Sequence, residues 1–301
     1  MRRREFMIGA AALGLGDAAM AQDLDYAALQ AGLWERFPYE RIESSGADAL
    51  AEWTRLKSAG RGAPIIVGPD DEFLRIAEGV VGFVGDTSRP SPQEILAAAA
   101  SLQHPEALNE MRATEDARSR AYIEQMLRDP NVNLPRVSIG GVLQTDEETR
   151  AELEASLAEG HAPPLGEWPS VPPQSAGLSI VQDYRRRKTF EKVHIVLVPA
   201  EHSYEAPAYL QWGGWNACPA PEYQVAAFRS WHQRYGAEIV GIAGDVINAR
   251  VTRRPTTREE ALALGREQYA YCNDLLDQGV GALSNLAAGL MADDWWFFWW
   301  D

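Results

Sequence analysis

The segment WGGWNACP, residues 212–219, is the densest loop-like motif of the sequence. Within it, Cys218 can act as a nucleophile, with His232 as its general base and Asp245 orienting the imidazole ring. The helix predicted to begin at Pro221 follows Cys218 closely, and its dipole favours a thiolate. Nothing in the sequence shows that the three side chains meet, and the local signatures of cysteine hydrolases are absent. A hydrolase-type enzyme is therefore an alternative interpretation of this loop.

The same loop also has the composition of a ligand-binding turn. Gly213 and Gly214 let the backbone turn tightly. Trp212 and Trp215 can flank a ligand, and Asn216 can orient it through its side-chain amide. The competing interpretation is a structural turn whose tryptophans belong to the core, because dense aromatic residues usually indicate packing.

The sequence contains two cysteines, Cys218 and Cys272, too few for a zinc ribbon. In an oxidising compartment they can form a disulfide, and the alternative is two buried thiols. His194 and His202 lie near two glutamates without the spacing of a metal site, so we interpret His194 as a core residue. No phosphate-binding loop or hydrolase elbow is present, and we expect no cofactor and no metal.

The composition is that of a globular chain with an acidic surface. Of the 301 residues, 46% are hydrophobic and 24% are charged, which is enough apolar material for one large core or two small ones. The formal net charge of -15 makes nucleic-acid binding unlikely as a main function and repels anionic membranes. An unknown protein or a small-molecule ligand remains as the partner.

The amino end reads as an export signal, residues 1–21. A basic start is followed by a short apolar segment of about ten residues, where a membrane-spanning helix needs about twenty. The start resembles the twin-arginine motif and the end has a small-x-small cleavage pattern. The residues that carry the signal are Arg3, Arg4, Phe6, Ala19 and Ala21. We therefore expect a periplasmic or secreted bacterial protein, delivered by the twin-arginine export machinery, with no stable membrane span after cleavage.

The elements that must position the loop are most regular in the last third of the chain. Apolar runs predict strands, and apolar residues at helical spacing between capping and stop residues predict helices. The predicted strands are 193–199, 237–242 and 246–251, and the predicted helices are 221–235, one from Thr257 to about Asp274, and 280–291. Thr257 and Glu260 predict a capping box at the start of the second of these helices. Upstream, we predict a strand at Pro64–Gly68, a capping box at Ser91 and a further strand at Gly79–Val84. The pattern indicates an α/β or α+β layered sheet with helices.

Composition also suggests domain boundaries. After the signal, residues 22–129 form an N-terminal α/β region. Residues 130–176 are rich in proline and predict a linker-like segment. Residues 177–301 then form a C-terminal domain, although one continuous fold is an alternative that the length permits.

Long motifs in the last third resemble a known family. They are PAYLQWGGWNACPAPEYQVAAFRSWHQRYGAEIVGI, YAYCNDLLDQGVGALSNLAAGL and the final WWFFWWD. Together they resemble the bacterial family called domain of unknown function 4253, over about Val193 to Asp301. Weaker similarity reaches back to about Tyr39. The activity of that family is not established, so the resemblance supplies no catalytic residues. Because ionisable residues are scattered along the chain while aromatic residues dominate the motifs, the sequence favours a non-catalytic binding or interaction domain. The alternatives are the hydrolase described above and a toxin-neutralising, partner-binding protein.

The final WWFFWWD raises a separate question of fold, because an exposed aromatic run favours aggregation. Aromatic residues favour strands, and apolar residues on both faces are typical of a central strand with two covered faces. We therefore predict that Trp295–Trp300 is a terminal strand inside the sheet, covered by helices. Alternation along the strand sends Trp295, Phe297 and Trp299 to one face and Trp296, Phe298 and Trp300 to the other. The competing interpretation is a tail that docks on a membrane or a partner.

Overall fold

The computed structural model describes residues 26–82, 88–129, 134, 138–139, 142–143, 145–158 and 162–301. The predicted export signal, residues 1–21, lies outside them. Within the described ranges, no helix combines the length and the apolarity that crossing a membrane requires.

The fold is mixed, with helices packed on a layered sheet, as the sequence predicted. The strands are β1 Glu40–Ser44, β2 Ala63–Gly68, β3 Ser138–Ile139, β4 Val142–Leu143, β5 Gln182–Asp183, β6 Lys188–Thr189, β7 Val193–Val198, β8 Glu238–Ile242, β9 Val246–Arg250 and β10 Trp295–Trp299. The α-helices are α1 Tyr26–Arg36, α2 Ala49–Ala59, α3 Asp70–Val81, α4 Pro92–Ser101, α5 Glu106–Arg128, α6 Asp146–Ala158, α7 Ala206–Tyr209, α8 Pro221–Tyr235, α9 Arg258–Tyr271 and α10 Leu283–Ala292. Two 3₁₀ turns, Ser179–Val181 and Ser203–Glu205, and a π-helical turn, Leu275–Val280, complete the described elements.

Six strands form the main sheet, in the order β1-β7-β2-β8-β9-β10. Neighbours are antiparallel except β2 and β8, which are parallel. Every residue of β2 and β7 is buried, as expected for strands whose two faces are both covered. Trp53 and Leu56 of α2 belong to the core on one face of the sheet, together with Ile195 of β7. On the other face, the ring of Trp231 from α8 stacks on Phe298 of β10 at 5.7 Å.

The compact units of the structure do not follow the predicted domain boundaries. Residues up to His104 and residues from Pro164 to the end form one unit, and Pro105–Pro163 form another. The physical reason is strand pairing, because β7 bonds to both β1 and β2 and so joins the predicted regions 22–129 and 177–301 in one sheet. Within the smaller unit, Arg120 of α5 donates to the Leu157 carbonyl oxygen of α6 at 2.7 Å.

The second half of the predicted linker packs on the larger unit. We name residues 164–176 the proline strap. The carbonyl oxygens of Pro164 and Leu165 each accept a 2.9 Å hydrogen bond, from the backbone N–H groups of Leu283 and Ser284. These donors belong to the first turn of α10, where a helix has no internal acceptors. The strap therefore caps α10 instead of acting as a free linker.

Several helix ends follow the predicted local chemistry. The capping box of α4 is confirmed, because Ser91 accepts from the Glu94 backbone and Glu94 accepts from the Ser91 backbone. The stop of α8 is also as predicted, with Gly236 in the left-handed conformation at φ 62°. The prediction of a strand at Gly79–Val84 is wrong for Gly79–Val81, which end α3.

The start of α9 differs in one detail from the predicted capping box. Thr257 accepts a hydrogen bond from the Glu260 backbone at 3.1 Å, as predicted. The Glu260 carboxylate, however, accepts from the backbone of Thr256 at 2.8 Å instead of from Thr257. The reciprocal bond of the box is therefore shifted by one residue.

The prediction for the aromatic end is correct about the strand and wrong about its place. Among the strands that the structure describes, β10 pairs with β9 alone and so lies at the edge of the sheet. Trp296, Phe298 and Trp300 are buried, whereas the alternate residues Trp295, Phe297 and Trp299 are half-buried. The prediction that both faces of this strand are covered is therefore wrong, because one face is only partly covered.

Candidate functional site

The structure does not bring the predicted nucleophile and base together. Cys218 is buried, and its Sγ accepts a hydrogen bond from the side-chain amide of Gln224 at 3.3 Å. His232 Nδ1 lies 3.0 Å from the carbonyl oxygen of Ala237, at the end of α8. Its ring packs against His202. The hydrogen bond of His232 thus goes to the backbone and not to Cys218.

Of the two interpretations that the sequence left open for the cysteines, a disulfide or two buried thiols, the structure has the buried thiols. Cys272 Sγ donates to the carbonyl oxygen of Trp299 at 3.0 Å. This bond occupies part of the outer edge of β10. The thiol of Cys272 therefore helps to protect a strand edge that would otherwise offer unpaired backbone groups.

The predicted binding loop packs against the end of β10. Trp212 is buried, donates to the Ala243 carbonyl oxygen at 2.7 Å, and meets Trp300 edge-on at 5.5 Å. Asn216 adopts a left-handed φ of 50°, and its amide donates to the Asp301 carbonyl oxygen at 2.9 Å. Trp212 and Asn216 therefore have structural roles that account for their positions.

A cavity of about 180 Å³ lies beside this loop. Trp212, Trp215 and Asp245 line it, together with Arg75 of α3. The structure thus places one member of the predicted catalytic set, Asp245, with two members of the predicted ligand-binding set.

An apolar cavity of about 160 Å³ lies along the half-buried face of β10, and we name it the β10 cavity. Its walls come from the proline strap, the end of α9, the π-helical turn, α10 and β10. The main apolar lining residues are Leu275, Val280, Leu286, Leu290, Trp295 and Trp299. The proline strap is remote in sequence from the other walls, which all lie within residues 268–299, and this separation is why the sequence did not reveal the cavity.

Two buried N–H groups of residues that line the β10 cavity have no hydrogen-bond partner among the described residues. They are Nε2 of Gln268 on α9 and Nε1 of Trp296 on β10. The two residues are 1% and 2% exposed, so bulk water does not reach them freely. Buried polar groups in folded proteins almost always have a partner, so each of these two N–H groups is an exception in this fold.

A family comparison applies to the region that contains this cavity. Residues 194–301 match the family model described as Domain of unknown function (DUF4253). Over these residues the chain is similar to the DUF4253 family. No curated protein and no solved structure matches the chain. The DUF4253 region supplies β10, α9 and α10 of the cavity, while the proline strap precedes it.

The first residue of the DUF4253 match, His194, forms a hydrogen bond to a carboxylate that sequence reasoning missed. Its Nε2 lies 2.6 Å from Asp70, whose carboxylate also accepts from Lys192 at 2.7 Å. Burial lowers the pKa of His194 more than the carboxylate raises it, so the neutral ring donates its Nε2–H. Burial alone raises the pKa of Asp70, but hydrogen bonds from Lys192 and His194 lower it overall. The pattern VHIVLV identified a core strand, but not the partner from α3.

The described residues were also compared with the side-chain groups that hold metal ions in proteins. Among the residues that the structure describes, no group of three or more His, Cys, Asp and Glu side chains is arranged to hold a metal ion.

Proposed function

We propose that the chain is a non-catalytic binding domain that holds a small apolar ligand in the β10 cavity. The observation that carries this proposal is the cavity itself, about 160 Å³ between aromatic and aliphatic side chains. An apolar cavity of about 150 Å³ in another protein stays dry and binds benzene, so this volume suits one aromatic ring with a short substituent.

The lining supports an aromatic ligand in particular. The indoles of Trp295 and Trp299 are half-buried in the protein, and both line the cavity. A ring that packs against them would remove their remaining apolar surface from water, and edge-to-face contacts between rings add to that gain.

Calorimetric titration with ethylbenzene tests this proposal. We expect saturable binding by the wild type, and at least tenfold weaker binding by Leu286→Trp, which fills the cavity. Leu50→Trp is the matched control, since Leu50 of α2 packs against the core and does not line the cavity. A wild type that binds no ethylbenzene at its solubility limit would contradict the proposal, as would equal loss in both variants.

We also propose that the protein acts after export through the twin-arginine pathway. The support is the sequence of residues 1–21, with Arg3 and Arg4 before Phe6 and a small-x-small pattern at Ala19 and Ala21. Replacing both Arg3 and Arg4 by Lys should leave full-length protein in the cytoplasm. Normal export and cleavage of that variant, measured by fractionation and mass spectrometry, would refute the twin-arginine route.

A further inference from the structure

The outer edge of β1, on the side away from β7, is open. Among the described strands, β1 pairs with β7 alone, and no other hydrogen bond from a described residue reaches its backbone. Such an edge is a template for a further strand. We propose that this edge is the interface for a second copy of the chain, and that two β1 strands pair antiparallel about a twofold axis at Ile42.

The charge pattern of β1 is complementary to a copy of itself. Arg41 and Glu43 lie on the same face of the strand, because alternate residues of a strand point the same way. In an antiparallel pair centred on Ile42, the Arg41 of each copy lies opposite the Glu43 of the other. Opposite charges directly across a strand pair stabilise it, and like charges destabilise it. A pair centred on Arg41 or on Glu43 would instead place two like charges opposite each other.

Both charged side chains are available for this pairing. Among the residues that the structure describes, neither Arg41 nor Glu43 has a hydrogen bond or an ion pair, and Glu43 is exposed. The Arg41 guanidinium lies 3.6 Å above the ring of Trp34. A guanidinium that stacks by its face keeps its in-plane N–H groups for a carboxylate.

The helices beside the edge leave room for a second copy. On one face, Trp34 of α1 packs on His194 of β7. On the other face, Trp53 of α2 donates to the Pro64 carbonyl oxygen of β2. In the paired sheet, β7 and its copy would be three strand spacings apart, about 14 Å, which exceeds the roughly 8–10 Å between the axes of packed helices. Helices over β7 or β2 therefore do not prevent the pairing.

The charges of an edge strand also serve to prevent association, which is the competing interpretation. Charges of one sign would repel every copy, whereas β1 carries both signs in an order that a copy matches. The formal net charge of -15 opposes association at long range. Salt at physiological ionic strength screens charges that are more than about 8 Å apart, so the paired strands interact mainly through their own side chains.

Sedimentation velocity of the full chain tests the pairing. One strand pair is a small interface, so we expect a weak dimer with a dissociation constant on the order of 10–100 μM. In Glu43→Arg the dimer should be at least tenfold weaker, because like charges then meet twice. This variant is less negative than the wild type, so general charge repulsion alone predicts a tighter dimer instead.

Glu259→Arg is the matched control. It makes the same change of net charge at an exposed residue of α9, and Tyr271 at the end of α9 packs on Phe298 of β10, at the opposite edge of the sheet. This control should dimerise at least as tightly as the wild type.

A mixture of two variants gives a second readout. Arg41→Glu alone places two carboxylates opposite each other and should also weaken the dimer. In an equimolar mixture with Glu43→Arg, each chain carries the charges that the other lacks. The mixed dimer should therefore form within about threefold of the wild-type affinity.

A wild type that stays monomeric up to about 300 μM would overturn the proposal. A Glu43→Arg variant that dimerises as tightly as the wild type would also overturn it, as would a mixture of folded variants that associates no more than its components. Thermal unfolding verifies that each variant is folded. Because Glu43 is exposed, Glu43→Arg decides the proposal even where Arg41→Glu does not fold. None of these outcomes affects the proposed ligand of the β10 cavity, which lies at the other edge of the sheet.

Discussion

At the scale of single residues, Glu267 shows how burial and hydrogen bonding compete. This carboxylate on α9 accepts from the Trp231 indole at 3.0 Å and from Arg234 at 2.9 Å, and His104 Nε2 lies 3.6 Å away. Burial raises its pKa, but the nearby imidazole of His104 and the hydrogen bonds from Arg234 and Trp231 lower it to about 2. The folded state therefore prefers the charged carboxylate more than the unfolded chain does.

We predict an acid-labile contribution to stability from Glu267. Because the folded pKa lies below the unfolded value of 4.5, the contribution is complete above about pH 4.5 and disappears as the pH falls towards about 2. Between pH 2 and 7, the free energy of unfolding in urea should vary by on the order of 1–2 kcal/mol less in Glu267→Gln than in the wild type. Glu201→Gln is the control at an exposed glutamate, and its free energy of unfolding should depend on pH as strongly as that of the wild type. Parallel pH profiles for the wild type and Glu267→Gln would refute this account.

Two glycines that end helices allow a matched comparison. Gly60 and Gly236 both adopt a left-handed φ, 64° and 62°. A Cβ at Gly60 would meet nothing within 4 Å, but one at Gly236 would lie 2.0 Å from Thr252 Oγ1. We predict that Gly60→Ala costs about 1 kcal/mol of unfolding free energy, from backbone strain alone. Gly236→Ala should cost at least about 1 kcal/mol more. Equal costs in thermal unfolding would show that the contact with Thr252 relaxes freely.

At the scale of elements, the alternation of β10 makes two neighbouring phenylalanines unequal. Phe298 is fully buried and packs against Trp231 and Tyr271, whereas Phe297 is half-buried on the other face. Phe298→Ala should lower the unfolding free energy by about 3–5 kcal/mol. Phe297→Ala should lower it by less than about 1.5 kcal/mol. Chemical denaturation measures both, and a similar loss in the two variants would mean that the strand is covered on both faces.

Local chemistry explains which elements the sequence could predict. The cap at Ser91, the stop at Gly236 and the apolar run of β7 depend on a few adjacent residues, and all three appear as predicted. The edge position of β10 depends on which distant strands take the inner places, and short-range patterns contain no such information. The packing of the proline strap was not predicted, for a related reason. Prolines indicate an extended chain, but they do not indicate what that chain packs against.

The same reasoning applies to the candidate site. The sequence drew attention to Trp212, Cys218 and Asn216, because they are close together in the chain. The β10 cavity instead joins Gln268 of α9 and Trp296 of β10 with the strap, and no local motif links them. Once β10 was predicted as a strand, its alternation did predict that Trp295, Phe297 and Trp299 share one face.

At the scale of the whole molecule, the main sheet does not divide along the sequence. β2 lies between β7 and β8, although both of its neighbours come from the C-terminal region. We predict that a fragment of residues 177–301 lacks a cooperative unfolding transition, because without β2 the strand β7 loses its link to β8. A sharp urea transition of this fragment, with no binding of a hydrophobic dye, would refute the prediction. Replacing residues 105–163 by a flexible linker is the control, and this variant should unfold cooperatively.

The central place of β2 also has a consequence for synthesis. Roughly 125 residues separate the end of β2 from β7, so translation at ~5–20 residues per second delays their pairing by roughly 6–25 s. During that delay the apolar segment APIIVG, the six residues of β2, is unpaired in the nascent chain, because its partner strands β7 and β8 have not yet been synthesised. Slow codons placed between β2 and β7 should therefore increase aggregation of the nascent chain more than the same codons placed after β8.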